Sequence, residues 1–279
     1  IGERAGGLSM EVQIRHKDRL LADDRYMIID GEVDRRIILS DPGIDGFRNE
    51  ILWSPEKPQL LDATIRLKRG DEVLDEIQSY TALRSVGVLR DRFMLNGRPY
   101  QLKLVLDQGY WPDTLLAPPD DAALRRDVEL AKAMGFNGVR KHQKIENPRY
   151  LYWADRLGLL VWEEMPSAYR FTRTAIKRIV KEWGEAIERD FSHPCVITWV
   201  PFNESWGVPE LTSVGAHQNA VAALYPLTKT LVPTRPAEDG DGVEITVLTF
   251  WASMEAISRF AGSTPDLAVV EPDARALLL

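Results

Sequence analysis

The pair Asn203-Glu204 closes the apolar run Cys195-Val196-Ile197-Thr198-Trp199-Val200 after Pro201-Phe202, with Trp199 before it and Trp206 after it. A nearly continuous apolar run of this length reads as a buried strand of a parallel sheet. A carboxyl group at the C-terminal end of such a strand sits where (β/α) barrels assemble their chemistry. Aromatic walls beside it keep water away, which raises a carboxyl pKa toward the range of a general acid, and they offer flat faces for sugar rings. These residue types point to acid–base work on a sugar. Glu204 is the candidate catalytic group, Asn203 its polar neighbour, and Trp206 a candidate platform. The competing reading of Glu204 is a solvated acid at a helix start, where the dipole favours negative charge. Trp199 lies within the run and reads as core, and Cys195 as a small buried hydrophobe.

Other polar residues fall at the ends of further apolar segments. Asp107 follows Tyr100–Leu106, Arg140 follows Phe136–Val139, and Glu163 and Glu164 follow Leu159–Trp162. Adjacent residues on a strand point to opposite faces, so at most one of the two glutamates enters a site, and Glu164 is the choice. Arg140 either orients a site carboxylate or simply pairs with Glu163 or Glu164. His142 is either a pocket group or an exposed loop residue. Asp107 and Trp111 either line the rim or support it. His142 and His193 lack metal-ligand spacing, so no metal is expected, and no motif calls for a cofactor.

The elements that must carry these residues divide into two classes. Over residues 1–90, Met10–Arg15, Arg36–Ser40, Ala63–Leu67 and Ser85–Leu89 alternate apolar and polar, with turn signals at Asp41-Pro42-Gly43 and Arg69-Gly70-Asp71. Short alternating strands at this spacing predict an antiparallel sandwich. From residue 91 the pattern changes. Asn96-Gly97 signals a hairpin after Phe93-Met94-Leu95. Helices are predicted from Asp120 or Asp121 to Met134 with Gly135 as stop, from Pro148 to Gly158, over Ala175–Asp190 and over Leu211–Leu231. On the third helix Ile176, Ile179, Val180, Trp183 and Ile187 share one face. About four βα units result, which implies a parallel sheet. Residues 237–279 fit that pattern poorly.

The bulk properties set outer bounds. The chain has 279 residues, 44% hydrophobic and 28% charged, enough for one large or two medium domains with an ordinary core. A net charge of −7 argues against a nucleic-acid partner. No apolar run approaches a membrane span, and no leader segment is visible. The single cysteine, Cys195, allows no internal disulfide, and with the acidic balance it favours a cytoplasmic setting. Oligomeric state is not legible.

Taken together, Asn96-Gly97-Arg98-Pro99, Leu106-Asp107-Gln108-Gly109-Tyr110-Trp111, Gly135-Phe136-Asn137-Gly138-Val139-Arg140, Asp155-Arg156-Leu157-Gly158-Leu159 and His193-Pro194 through Asn203-Glu204-Ser205 resemble glycoside hydrolase family 2 in order and spacing. That family includes β-galactosidases, β-glucuronidases and β-mannosidases. Leu52-Trp53-Ser54-Pro55-Glu56-Lys57-Pro58 resembles a segment late in its immunoglobulin-like middle domain, and the likeness runs over roughly residues 8 to 236. It implies an immunoglobulin-like sandwich followed by an incomplete (β/α)₈ barrel, with the family's amino-terminal sugar-binding domain lying outside this sequence.

The resemblance also implies a carbohydrate substrate and a retaining double displacement between two carboxyl groups. It implies that Glu204 is the acid/base, that Asn203 holds the 2-hydroxyl, that Arg140 orients a carboxylate and that His142 lines the pocket, although the family's usual residues differ around Lys141-His142-Gln143. The nucleophile belongs in a later Glu-Phe/Tyr-Gly context, and Glu238, Glu244, Glu255 and Glu271 all lack it. Two alternatives to a hydrolase therefore stand: a carbohydrate-binding protein without catalysis, and an inactive fragment.

Overall fold

The computed structural model describes residues 7–40, 50–203, 208 and 210–237. Strands β1 (Leu8–His16), β2 (Arg19–Met27), β3 (Leu61–Arg69) and β4 (Glu72–Thr81) form one antiparallel sheet in the order β2-β1-β3-β4. Alternation along the strands separates its faces. Val12, Ile14, Leu21, Ala22 and Leu61 are buried with Ile51 in a small core. On the other face Glu11 pairs with Arg66 at 2.8 Å and Lys68 at 3.1 Å, and Arg66 also reaches Glu76 at 2.6 Å.

Two outcomes differ from expectation here. Arg36–Ser40 is not a strand: its alternation survives, with Ile37 and Leu39 turned to the core and Ile38 exposed, but Ser40 N–H to Leu21 O at 2.7 Å is its bond to the sheet. Conversely β4 is a strand although eight of its ten residues are exposed. Pairing with β3 across the turn at Gly70 supplies the order that its own pattern lacks. The described residues give this segment one four-stranded sheet; a second sheet stacked on it is not among them.

Strands β5 (Val86–Leu89), β6 (Arg92–Leu95) and β7 (Arg98–Pro99) make a three-stranded antiparallel sheet, with Asn96 and Gly97 forming the expected hairpin turn at φ values of 52° and 74°. Four βα units follow: β8 (Leu104–Asp107), α1 (Asp121–Ala133), β9 (Gly138–Lys141), α2 (Pro148–Leu157), β10 (Leu160–Glu164), α3 (Arg173–Asp190), β11 (Val196–Val200) and α4 (Gly215–Leu231). The four strands pair in parallel in sequence order, β8-β9-β10-β11. Beyond β11, Trp199 N–H donates to Pro236 O at 3.2 Å and pairs in parallel with Ala237, where a further strand would lie.

Helix boundaries follow local chemistry. Asp120 caps α1 by accepting from Ala123 N–H at 2.7 Å. Gly135 and Phe136 close it by donating back to Lys132 O and Ala131 O, the paired bonds of a Schellman motif. Pro148 opens α2 and Gly158 closes it at φ 78°. Strand boundaries are shorter or later than the apolar runs suggested. Asn137 ties the entrances of β8 and β9 together: its side chain accepts from Lys103 N–H at 2.7 Å and donates to Gln101 O at 2.8 Å, and its backbone N–H donates to Lys103 O at 3.0 Å. The regular ladder follows from Leu104 and Gly138. Residues 210–213 form a turn with Glu210 at φ 60°, so α4 starts after Leu211.

The larger core lies between the parallel sheet and its helices. Every residue of β11 is buried, as its apolar run predicts. Trp183 and Trp199 meet edge to face at 5.7 Å, which places Trp199 in the core. On α3 the buried stripe is Ile179, Trp183, Ala186, Ile187 and Asp190; Val180 stands on its flank and is 42% exposed, contrary to expectation. Among the described residues no helix is long and apolar enough to cross a membrane.

Candidate active site

The C-terminal ends of β9, β10 and the segment after β11 bring three expected residues into one chain of contacts. Arg140 Nε donates to Glu164 Oε2 at 2.6 Å, and Arg140 Nη2 donates to Asn203 Oδ1 at 3.1 Å. Arg140 pairs with Glu164 and not with Glu163, as the alternation of strand faces requires. Glu164 is wholly buried, Asn203 is 3% exposed, and the Arg140 side chain keeps 14% of its surface. A planar guanidinium can bond two partners in fixed directions, so Arg140 sets the angle between the Glu164 carboxylate and the Asn203 amide.

The second oxygen of Glu164 is also occupied. Gln143 N–H donates to Oε1 at 2.8 Å, and His142 Nδ1 stands 3.0 Å from the same atom. His142 therefore lies against the buried carboxylate and is not an exposed loop residue. Gln143 carries a signal that sequence reasoning missed. Its φ is 49°, the left-handed region, where a residue with a Cβ costs about 1–2 kcal/mol. Its side-chain oxygen accepts from Ser167 N–H at 3.2 Å, linking the loops after β9 and β10. Nothing in a single sequence marks a glutamine for this conformation.

Glu204 and Trp206 lie outside the described residues, as do Glu238, Glu244, Glu255 and Glu271. Phe202 is buried beside them in sequence and faces Phe171 at 6.4 Å, while Phe171 also meets His217 at 4.8 Å.

Behind this chain lies a second network, also unanticipated. Lys141 has no exposed surface; its Nζ is 2.8 Å from both Asp107 and Glu146 and 4.2 Å from the Tyr150 ring centre. Lys144 reaches Glu146 at 3.2 Å and Gly109 O at 2.8 Å. Asp107 thus acts as a support, bonding Gly109 N–H at 2.7 Å as well as Lys141. Trp111 belongs to the same loop, pairing with Leu115. Burial, then the charge of Asp107, raises the Asp127 carboxyl to about 6.

Glu163 turns to the other face of β10. Burial pushes its carboxyl well above the usual range, and the neighbouring charge of Asp190 pushes it further. Asp190 holds both bonds from Arg189, at 2.7 and 2.5 Å, and leaves Glu163 4.0 Å from that guanidinium. At the opposite end of β11, Asp155, His193 and Cys195 bring possible ligand atoms within 4.8 Å of one another. Those atoms are already engaged: Asp155 accepts from Tyr80 O–H and Cys195 N–H and contacts His193, and the Cys195 thiol faces Leu151 O at 3.6 Å. That set is a structural hub; its donors do not present an open cation site.

Comparison with known proteins identifies the domain that carries these residues. The model of the TIM barrel domain of glycosyl hydrolases family 2 matches residues 88–259. A β-galactosidase of Thermoanaerobacter pseudethanolicus is 34% identical over 161 residues, covering 56% of this chain and 22% of that protein. A β-galactosidase of Vibrio cholerae is 32% identical over 203 residues, covering 68% of this chain and 19% of that protein. Among solved structures, a glycosyl hydrolase family 2 member from Bacteroides cellulosilyticus superposes with a TM-score of 0.68 at 26% identity, over 83% of this chain and 31% of that one. A β-D-glucuronidase of Dictyoglomus thermophilum gives 0.68 at 23% identity, over 83% of this chain and 39% of that one, a likeness of fold. The chain spans about a fifth of the length of these curated relatives.

Proposed function

The chain belongs to glycosyl hydrolase family 2 through its TIM barrel domain, and from that premise we propose that it carries the acid/base half of a site that hydrolyses β-glycosides by the retaining double displacement. The observation that carries this reading is the continuous contact Glu164–Arg140–Asn203 across three neighbouring strand ends. Burying an ion pair carries a desolvation cost that an apolar pair would not, so this pair supports a role beyond packing. Its effect is to hold Asn203 in one orientation.

In this reading Asn203 hydrogen-bonds the sugar 2-hydroxyl, a contact that strengthens as the anomeric carbon gains positive charge. Glu204 protonates the glycosidic oxygen and then takes a proton from the attacking water. Trp206 stacks on a sugar face, and His142 completes the pocket wall beside Glu164. The substrate is a carbohydrate. The antiparallel sheet of residues 8–81 supports assigning residues 1–90 to an immunoglobulin-like sandwich and 91–279 to the barrel domain.

A second reading, sugar binding without turnover, is favoured by one observation. In the sequence, Glu238, Glu244, Glu255 and Glu271 all lack the Glu-Phe/Tyr-Gly context in which the nucleophile is expected. The deciding experiment is release of the aryl group from phenyl β-galactoside, glucuronide, mannoside and glucoside, with Glu204→Gln and a blank alongside. Release that depends on Glu204 supports hydrolysis. Binding of a glycoside by a folded, monomeric sample without release supports the second reading, and neither release nor binding refutes both.

A further inference from the structure

We infer that Gln143 is a positioning residue for the sugar site, acting through its left-handed backbone, which aims one N–H at Glu164. The inference rests on the sugar-site reading above. Glu164 is completely buried and needs donors for both oxygens. Arg140 Nε supplies one of them to Oε2. The other oxygen takes Gln143 N–H at 2.8 Å, a bond from a rigid backbone where Arg140 offers a long flexible side chain. A backbone donor two residues beyond the end of β9 can point back at β10 only if the chain reverses there. Lys144 pairs with Glu164 across that reversal, and the φ of 49° at Gln143 produces it.

Strained backbone at non-glycine residues persists where the surroundings hold it, and it gathers at functional sites. Here the holding groups are identifiable. Ser167 N–H at 3.2 Å grips the Gln143 side chain from the next loop, and Glu164 grips its backbone. The consequence passes along the contacts already described: Gln143 fixes Glu164, Glu164 fixes Arg140, and Arg140 Nη2 fixes Asn203. Gln143 needs to touch no sugar for this.

The test compares Gln143→Gly, which adopts positive φ freely, with Gln143→Val, which resists it. Each variant of the full chain is read by ¹⁵N NMR at the Arg140 Nε–H and Asn203 side-chain amide resonances, and by titration with phenyl β-glycosides. The expected result is that Gln143→Gly leaves both resonances and the glycoside affinity within about twofold of the parent. Gln143→Val is expected to move both resonances and weaken affinity about tenfold to a hundredfold, the scale of an ångström-sized misplacement. If Gln143→Val does not fold, Gln143→Ala provides the same comparison. Equal displacement by Gly and by Val or Ala would assign the effect to the side chain and overturn the inference, as would resonances that none of the variants moves. If the parent itself binds no glycoside, the sugar reading fails on its own, and the two resonances still decide what Gln143 positions.

Discussion

His193 Nδ1 lies 2.6 Å from Asp155 Oδ2, inside a wholly buried carboxylate that also takes Tyr80 O–H at 2.8 Å and Cys195 N–H at 2.9 Å. Three parts of the chain meet at this one side chain: β4 through Tyr80, α2 through Asp155 itself, and the turn into β11 through His193 and Cys195. The neighbouring contacts run the same way. Trp53 Nε1 donates to Asp155 O at 2.8 Å, and Arg84 donates to Pro194 O at 2.8 Å and Val196 O at 2.7 Å. The antiparallel sheet is thereby fastened to the end of the parallel sheet farthest from Arg140 and Glu164.

Removing part of this hub has a graded cost. Tyr80→Phe deletes one hydrogen bond to a charged group and is expected to cost about 1.5–3 kcal/mol. Asp155→Asn weakens three contacts in the interior and is expected to cost about 2–4 kcal/mol. The two changes should be less than additive, because both disrupt the same Tyr80–Asp155 hydrogen bond. Urea unfolding of the two single variants and the double variant measures this, and full additivity would show that Tyr80 and Asp155 are not coupled.

Gly158 and Gly135 both end helices at positive φ, 78° and 89°, but their surroundings differ. A Cβ on Gly135 meets nothing within 4 Å, whereas one on Gly158 would sit 2.4 Å from Pro55 O. Gly135→Ala should therefore cost only the backbone term, about 1–2 kcal/mol. Gly158→Ala adds a clash with backbone from the β-rich segment, and its total should reach about 2–5 kcal/mol. Thermal or urea unfolding of both variants checks the ranking, and equal losses would contradict it.

The contrast between Gly158 and Gln143 shows where sequence reasoning succeeds. Gly158 follows an apolar helix opened by Asn147-Pro148, and each signal is a residue type with a strong conformational preference of its own. Arg140, Glu164 and Asn203 were legible for a related reason: each ends an apolar run, and period-two alternation decides which of Glu163 and Glu164 faces the site. Gln143, Lys141 and Asn137 were not legible. Their roles come from partners more than twenty residues away, in Glu164, Asp107 and Gln101, and no local preference records such a partner. Strand β4 shows the same limit, since its order comes from β3.

Glu163 predicts a pH effect with a definite sign. Its carboxyl is raised by burial and by Asp190, so the folded state holds a proton that the unfolded chain releases near 4.5. The contribution is fully present below that unfolded value and is lost as pH rises through the raised folded value. Glu163→Gln keeps the neutral shape and removes the titration. Relative to the parent, Glu163→Gln should become steadily more stable as pH rises above about 4.5, with a slope of at most about 1.4 kcal/mol per unit. Denaturant midpoints of both proteins between pH 4 and 8 measure the difference, and parallel profiles would contradict the buried neutral form.

Asp127 sits at the edge of the Lys141 network, and its carboxyl is raised to about 6 chiefly by burial and then by the charge of Asp107, while Lys141 opposes the rise. A ¹³C carboxyl titration should find Asp127 changing charge near that value. Lys141→Met removes the opposing positive charge and should move the Asp127 midpoint upward, although it leaves Asp107 and Glu146 without their shared partner. The stability contribution of the protonated form is complete below the ordinary value of 3.8 and disappears through about 6. Asp127→Asn should therefore gain on the parent across that interval and run parallel to it above. A midpoint that falls in Lys141→Met would mean that Asp107 and Glu146 no longer act on Asp127 once the lysine is gone, and that Lys141 holds the three carboxylates together more than it screens them.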